Sequence, residues 1–139
     1  MRCISIRQPR AWFILHAGAD IENRSWTTDY RGPILIHASP RLRRFEYSED
    51  VWRARRFCGV TIDIPSFEEM QQESGGIVGM ATLERITVDK AFSRWFTGPF
   101  GFVLRNPVAV EFAPMKAHIG IFETKFTEAN FSHLQKSNH

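Results

Sequence analysis

Residues 77–88 are a long run rich in strand-forming side chains, and they directly follow the glycine pair Gly75-Gly76. β-Branched and aromatic residues favour pleated sheet, while adjacent glycines mark a turn. The run therefore predicts a long strand, bulged at the charged pair Glu84-Arg85.

Shorter runs of the same kind predict further strands over residues 2–6, 34–36, 100–104, 108–112 and 119–123. Asn106-Pro107 predicts a break between two of them, because proline cannot donate to a sheet ladder. Weak alternation over residues 20–26 indicates another short strand. A short helix is expected over residues 11–15, after the turn at Gln8-Pro9 and before Gly18.

An arginine-rich segment begins at Pro40 and predicts a helix with one apolar stripe, formed by Leu42, Phe45 and Trp52. Further along, Ser66 and Glu69 have the spacing of a capping box and predict a short helix to Glu73. Strands interrupted by helices near the start and middle of the chain predict an α+β fold with a barrel-like sheet.

The length of 139 residues and a hydrophobic content of 43% suit one core. Because no linker divides the sequence, residues 1–139 are expected to form a single domain. The tail, residues 127–139, is expected to be a terminal helix or frayed.

Charge is concentrated between residues 40 and 60, where six arginines stand against three acidic residues in a chain whose net charge is +3. Arginine suits bidentate contact with phosphate, so the cluster indicates a nucleic-acid partner. A second interpretation of this cluster is a solvated helix face. A third is a docking surface for an acidic protein on residues 41–56, which include Arg41 and Arg44.

The two cysteines, Cys3 and Cys58, each lie beside apolar residues, which is typical of buried free thiols in a reducing compartment. The longest apolar run, residues 11–15, is too short to span a bilayer, so a cytoplasmic protein without a membrane partner is expected. The histidines lack ligand spacing and no phosphate-binding glycine loop is present, so neither metal nor cofactor is expected.

Four spaced segments carry a resemblance that periodicity cannot supply: residues 5–12 (SIRQPRAW), 18–26 (GADIENRSW), 30–38 (YRGPILIHA) and 114–122 (PMKAHIGIF). Their order and spacing are similar to those of ASCH domains. The likeness covers residues 3–122, with residues 41–73 a less matched helical insert. It implies a PUA-like mixed β-barrel with flanking helices and a cleft that binds nucleic acid, RNA foremost.

Some members that this chain resembles are hydrolases, either ribonucleases or acetylcytidine amidohydrolases. The family pattern G-x-K-x-x-E-x-R falls on residues 17–24, and the position of its lysine is held by Ala19. A desolvated amine can serve as an acid or base, and a methyl group cannot. The threonine nucleophile of the amidohydrolases is replaced by Glu22, so whether the chain is an enzyme stays open.

Candidate nucleic-acid-binding residues follow from the turn, the strand and the resemblance: Ser5, Arg7, Gln8, Glu22, Arg24, Trp26, Arg31, His37 and Lys116. Glu22 and Arg24 lie two apart and share a strand face, while Trp26 has the polar context of a base-stacking ring. Glu22 and Lys116 are the candidates for catalysis. The alternative for Glu22 and Arg24 is a structural ion pair, and the alternative for the turn residues is a turn capped by polar side chains. For Trp26 and His37 it is packing in the core, and for Lys116 it is a solvated loop.

Overall fold

A computed structural model of the chain describes residues 1–131. The strands are β1 (Arg2–Ile6), β2 (Ile21–Arg24), β3 (Gly32–Ala38), β4 (Gly76–Thr87), β5 (Phe100–Pro114) and β6 (Ile121–Glu123). The helices are α1 (Arg10–His16), α2 (Arg44–Phe57) and α3 (Phe67–Gln71), followed by a 3-10 turn over Glu128–Asn130.

All six strands belong to one mixed sheet in the order β2-β5-β4-β3-β1-β6. Strands β1 and β3 run parallel, and the other neighbours are antiparallel. The sheet curls into a half-barrel, which confirms the predicted α+β, PUA-like architecture.

The curled sheet has apolar side chains on both faces. One face packs with α1 through Ile4, Ile6, Phe13 and Ile36, all almost fully buried. The other carries a smaller cluster of Cys3, Leu35, Ile77, Val110 and Phe131. Each fully buried aliphatic or aromatic side chain contributes about 1.5–3 kcal/mol, so α1 is held firmly on the sheet.

Strand β4 has the predicted irregularity at its charged pair, since its register against β5 shifts between Leu83 and Arg85. The predicted break at Asn106-Pro107 is wrong, because β5 is continuous from Phe100 to Pro114. Asn106 takes a left-handed φ of 53°, and the register passes from Arg105 to Val108 across the pair. A bulge therefore absorbs the proline without ending the strand.

The capping box is confirmed: Ser66 Oγ accepts from the Glu69 N–H, and the Glu69 carboxylate accepts from the Ser66 N–H. Helix α2, however, begins at Arg44 rather than at Pro40. The predicted apolar stripe of α2 is also wrong, because Phe45 and Trp52 are 77% and 57% exposed, whereas Asp50 and Ala54 are its buried residues. Most of the predicted tail, residues 132–139, lies outside the described residues.

Candidate nucleic-acid interface

The open seam of the half-barrel is bridged by side chains. Strand β2 forms one edge of the sheet, yet Arg24 on β2 donates from Nη2 to the Ser5 carbonyl of β1 at 2.6 Å. The contact joins residues that are four strands apart in the sheet order. The seam is therefore closed by polar groups rather than by a backbone ladder, which leaves a cleft beside it.

Two adjoining cavities of about 300 and 420 Å³ make up this cleft, and they share Arg7, Arg10, Glu22 and Asn23 in their linings. The inner cavity lies between α1, β2, α2 and the loop after Ser93. The outer one lies at the seam, against Ser5, Arg24, Trp26 and Ser39. Together they are lined by five arginines and three carboxylates.

An ion-pair network ties α2 to the turn between β1 and α1. Arg7 donates to both oxygens of Asp50, with Nε and Nη2 distances of 3.1 and 3.2 Å, and also to Glu46. Arg10 Nε lies 3.5 Å from the same Asp50 carboxylate. Because Asp50 is buried, these pairs fix both the rotation of α2 and the two guanidinium groups.

Glu22 and Arg24 lie on the cleft side of β2, as their spacing predicts. Arg24 Nη2 is 2.9 Å from Glu22 Oε2, and Glu22 is only 5% exposed. The pair neutralises a buried carboxylate and holds Arg24 across the seam. A structural role and a place in the cleft are thus combined in the same two residues.

Arg53 and Arg94 line the inner cavity but were not among the residues predicted for the site. Within residues 1–131 neither forms an ion pair with a carboxylate. Their guanidinium groups therefore carry positive charge that no carboxylate of the ion-pair network neutralises. Arg53 belongs to the arginine cluster already evident in the sequence, whereas Arg94 stands alone and gives no pattern.

Asn23 fixes the loop that carries Arg94 and Trp95. Its Nδ2 donates to the Trp95 carbonyl at 2.9 Å, and its Oδ1 accepts from the N–H groups of Thr97 and Gly98 at 2.9 and 3.0 Å. All three bonds span more than 70 residues of sequence. Sequence reasoning missed Asn23 because such a long-range amide bridge leaves no local signal.

Two tryptophans flank the cleft. Trp26 lines the outer cavity and stands edge-on to Phe102, with ring centroids 5.1 Å apart. Trp95 lines the inner cavity and packs on Phe13 at 5.6 Å. Both rings are half-buried, so each retains some accessible surface in the cleft.

Several predicted residues lie away from the open part of the cleft. Gln8 is buried, accepting from the Trp12 N–H at 3.0 Å and donating to the Glu73 carbonyl at 3.4 Å. Its role is to cap the first turn of α1. His37 is fully buried beneath Ser5, bonded on both ring nitrogens.

Arg31 and Lys116 are exposed and line neither cavity. Arg31 donates to the carbonyls of Thr28 and Tyr30, each at 2.8 Å, which orders its own loop. Of the two candidates for catalysis, the structure brings Glu22 into the cleft and leaves Lys116 outside it.

Ala19, at the position of the family lysine, lines the inner cavity and is 6% exposed. Cys58 lines the same cavity. Burial raises the pKa of its thiol, and this effect exceeds the lowering caused by the positive charges of Arg53 and Arg94. Within residues 1–131 no group of three His, Cys, Asp or Glu side chains is placed to hold a metal ion. In the same residues no helix is long and apolar enough to cross a membrane.

The curled mixed sheet, its flanking helices and the cleft at its seam define the class of the protein as α+β and PUA-like. The family model of the ASCH domain matches residues 4–114, and the chain belongs to the ASCH family. Over an alignment 148 positions long that covers 98% of this chain, it is 28% identical to activating signal cointegrator 1 of Homo sapiens. The chain spans about a quarter of the length of this curated relative, 25% of which is aligned.

Proposed function

We propose that the cleft at the seam binds single-stranded nucleic acid, with RNA as the preferred ligand. The observation that carries the proposal is the concentration of five arginines and two tryptophans around one concave site. Guanidinium groups bind phosphate, and base stacking on an aromatic ring contributes about 1–3 kcal/mol per base. Membership of the ASCH family supports the same ligand class.

The ion pairs divide the arginines into two groups with different expected roles. Arg7, Arg10 and Arg24 are held by Asp50 and Glu22, so they shape the cleft and present fixed donors. Arg53 and Arg94 have no carboxylate partner in the described part of the chain, so they would make the strongest phosphate contacts. Removing either should weaken binding without destabilising the fold.

Fluorescence anisotropy of labelled single-stranded RNA, single-stranded DNA and duplex RNA tests the proposal at two salt concentrations. For three phosphate contacts the slope of log K against log salt is about −2, and each lost contact reduces its magnitude by about 0.7. Arg53→Ala and Arg94→Ala should each show this reduction. Binding that does not change with salt would refute the proposal.

Arg105→Ala is the matched control for these variants. Arg105 lies on β5, pairs with Glu84 at 2.9 Å and lines neither cavity. This substitution removes one positive charge from the molecule but none from the cleft. The affinity for RNA should therefore equal that of the unchanged protein within experimental error. Equal losses for Arg105→Ala and Arg53→Ala would indicate an effect of net charge alone.

A second candidate function, hydrolysis of RNA or of a modified nucleoside, is favoured by the position of Ala19. A lysine placed there would extend into the inner cavity near Glu22, which lines the same space. We expect the chain to lack turnover and Ala19→Lys to gain it, measured with acetylcytidine and a labelled RNA. No turnover in either form would count against this candidate.

A third candidate, docking of an acidic protein on residues 41–56, is weakened by contacts within the helix region. Arg44 pairs with Glu68 at 3.0 Å, and Arg55 donates to the Val60 and Ile62 carbonyls. These arginines are partly engaged in holding their own segment together.

A further inference from the structure

The inner cavity has the mixed walls of a pocket for one planar base. Its apolar lining includes Phe13, Ile21 and Trp95, and its polar lining includes Glu22 and Arg94. With a volume of about 300 Å³ it lies at the lower end of the range for ligand sites, so it admits one base rather than a stack of several. A base enters such a pocket by leaving the stack of its neighbours, which costs least in a single strand.

Glu22 supplies a carboxylate oxygen that lacks a donor. The residue is 5% exposed, and Arg24 Nη2 contacts its Oε2 at 2.9 Å. Within residues 1–131 no donor contacts the other oxygen, Oε1. In the same residues every fully buried side-chain polar atom has a partner, so Oε1 is not sealed off and reaches the open space that Glu22 lines.

The other acceptors of the inner cavity have less to gain from a ligand. Asp50 is occupied by two arginines, and the side-chain oxygen of Asn23 already accepts from two backbone N–H groups. Glu49 also lines the cavity but is exposed, so a hydrogen bond to a ligand there replaces one to water. Glu22 is therefore the acceptor that a donor on the ligand would satisfy best.

We propose, on the basis of the nucleic-acid function proposed above, that the inner cavity selects guanine and that Glu22 reads it. An ionised carboxylate only accepts, and guanine presents two adjacent donors, N1–H and N2–H, on its Watson–Crick edge. This edge is exposed in a single strand. Oε1 accepts from one donor, and the lone pair of Oε2 that Arg24 does not use accepts from the other.

The other three bases match a carboxylate less well. Adenine and cytosine each present one amino group beside a ring nitrogen that accepts, and uracil presents one N–H between two carbonyl oxygens. Each of these acceptors would lie against the carboxylate oxygens of Glu22 and repel them. Guanine is therefore the one common base that places donors opposite both oxygens.

Base selection and phosphate binding are assigned to different residues of this cavity. Arg53 and Arg94 have no carboxylate partner within residues 1–131, so they serve the phosphates on either side of the base. The half-buried ring of Trp95 offers the base a stacking surface. The preference for guanine should thus depend on Glu22, whereas the salt dependence should depend on the arginines.

Anisotropy titrations with labelled five-nucleotide RNAs test the selection. The central base is guanine, adenine, cytosine or uracil, with two uridines on each side. We expect the dissociation constant of the guanine RNA to be at least about tenfold lower than the others, a ratio that corresponds to about 1.4 kcal/mol.

Two guanine analogues at the central position identify the edge that is read. Inosine lacks the 2-amino group and should lose most of the preference. 7-Deazaguanine keeps both donors but lacks the N7 acceptor, so it should bind as tightly as guanine. The reverse result, with tight binding of inosine and weak binding of 7-deazaguanine, would assign the reading to an arginine and overturn the role of Glu22.

Glu22→Gln tests the residue itself. A carboxamide offers one acceptor and one donor, which match the amino group and ring nitrogen of adenine or cytosine. The variant should therefore lose the preference for guanine and bind the adenine and cytosine RNAs more tightly relative to it. A purely structural role of Glu22 would weaken all four RNAs alike.

Glu84→Gln is the matched control, because Glu84 also pairs with an arginine at 2.9 Å but lines neither cavity. It should keep the preference for guanine. Circular dichroism establishes whether Glu22→Gln folds, and if it does not, the two analogues decide the question with the unchanged protein. Equal affinity for all four RNAs, with the expected salt dependence, would overturn the guanine pocket alone, whereas failure of every RNA to bind would overturn the proposed function as well.

Discussion

Replacing Asp50 by alanine tests how α2 is held against the turn between β1 and α1. Its carboxylate is 7% exposed and pairs with Arg7 and Arg10, whose side chains are 31% and 42% exposed. Removing one partner of a fully buried pair costs about 3–5 kcal/mol. Arg7 and Arg10 are partly exposed, so water can solvate both guanidinium groups once the carboxylate is removed. We therefore expect the free energy of unfolding to fall by about 2 kcal/mol.

Urea unfolding followed by circular dichroism measures this loss, and a melting temperature lower by about 6–8 °C should accompany it. Glu49→Ala is the control, since Glu49 precedes Asp50 on the same helix, is exposed, and forms no ion pair within the described residues. It should change stability by less than about 0.5 kcal/mol. Equal effects of Asp50→Ala and Glu49→Ala would refute the reasoning.

Asp50→Ala should leave nucleic-acid affinity undiminished, with a steeper salt dependence, because Arg10 is released to bind phosphate; weaker binding in anisotropy would contradict this. Gly79→Ala should destabilise the fold by about 1–3 kcal/mol in urea, since the new Cβ would lie 2.4 Å from Leu15 Cδ2; unchanged stability would contradict the packing. Burial raises the pKa of Cys3 to about 12 from 9.0. The unfolded chain therefore loses that proton first, and stability should fall as pH rises from about 9 towards 12. Cys3→Ala should reduce the fall, and an identical pH dependence would refute the assignment.

Much of the fold follows from local sequence patterns. The capping box at Ser66, the strand after Gly75 and the bulge near Glu84 depend on neighbouring residues, so the sequence predicts them directly. The break at Asn106 was wrong because pairing with β4 on both sides of the Asn-Pro pair, at Arg105 and Val108, outweighs the preference of an isolated Asn-Pro pair.

Helix α2 shows why the remainder could not be predicted. Its hydrophobic spacing favours burial of Phe45 and Trp52, yet the structure buries Asp50 because Arg7 and Arg10 meet it from another element. The same limit applies to the site. Glu22 and Arg24 were predicted from their spacing and a resemblance, whereas Arg94 lies in the cleft because long-range hydrogen bonds hold its loop.

The indole signals of the four tryptophans offer the most direct test of the cleft as a nucleic-acid site. In an NMR titration with a short single-stranded RNA, Trp26 and Trp95 line the cleft and should shift, while Trp52, exposed on α2 and outside both cavities, should not. Arg53→Ala should require more RNA for the same shifts. A shift of the Trp52 signal alone, with the Trp26 and Trp95 signals unchanged, would contradict the account and place binding on the outer face of α2.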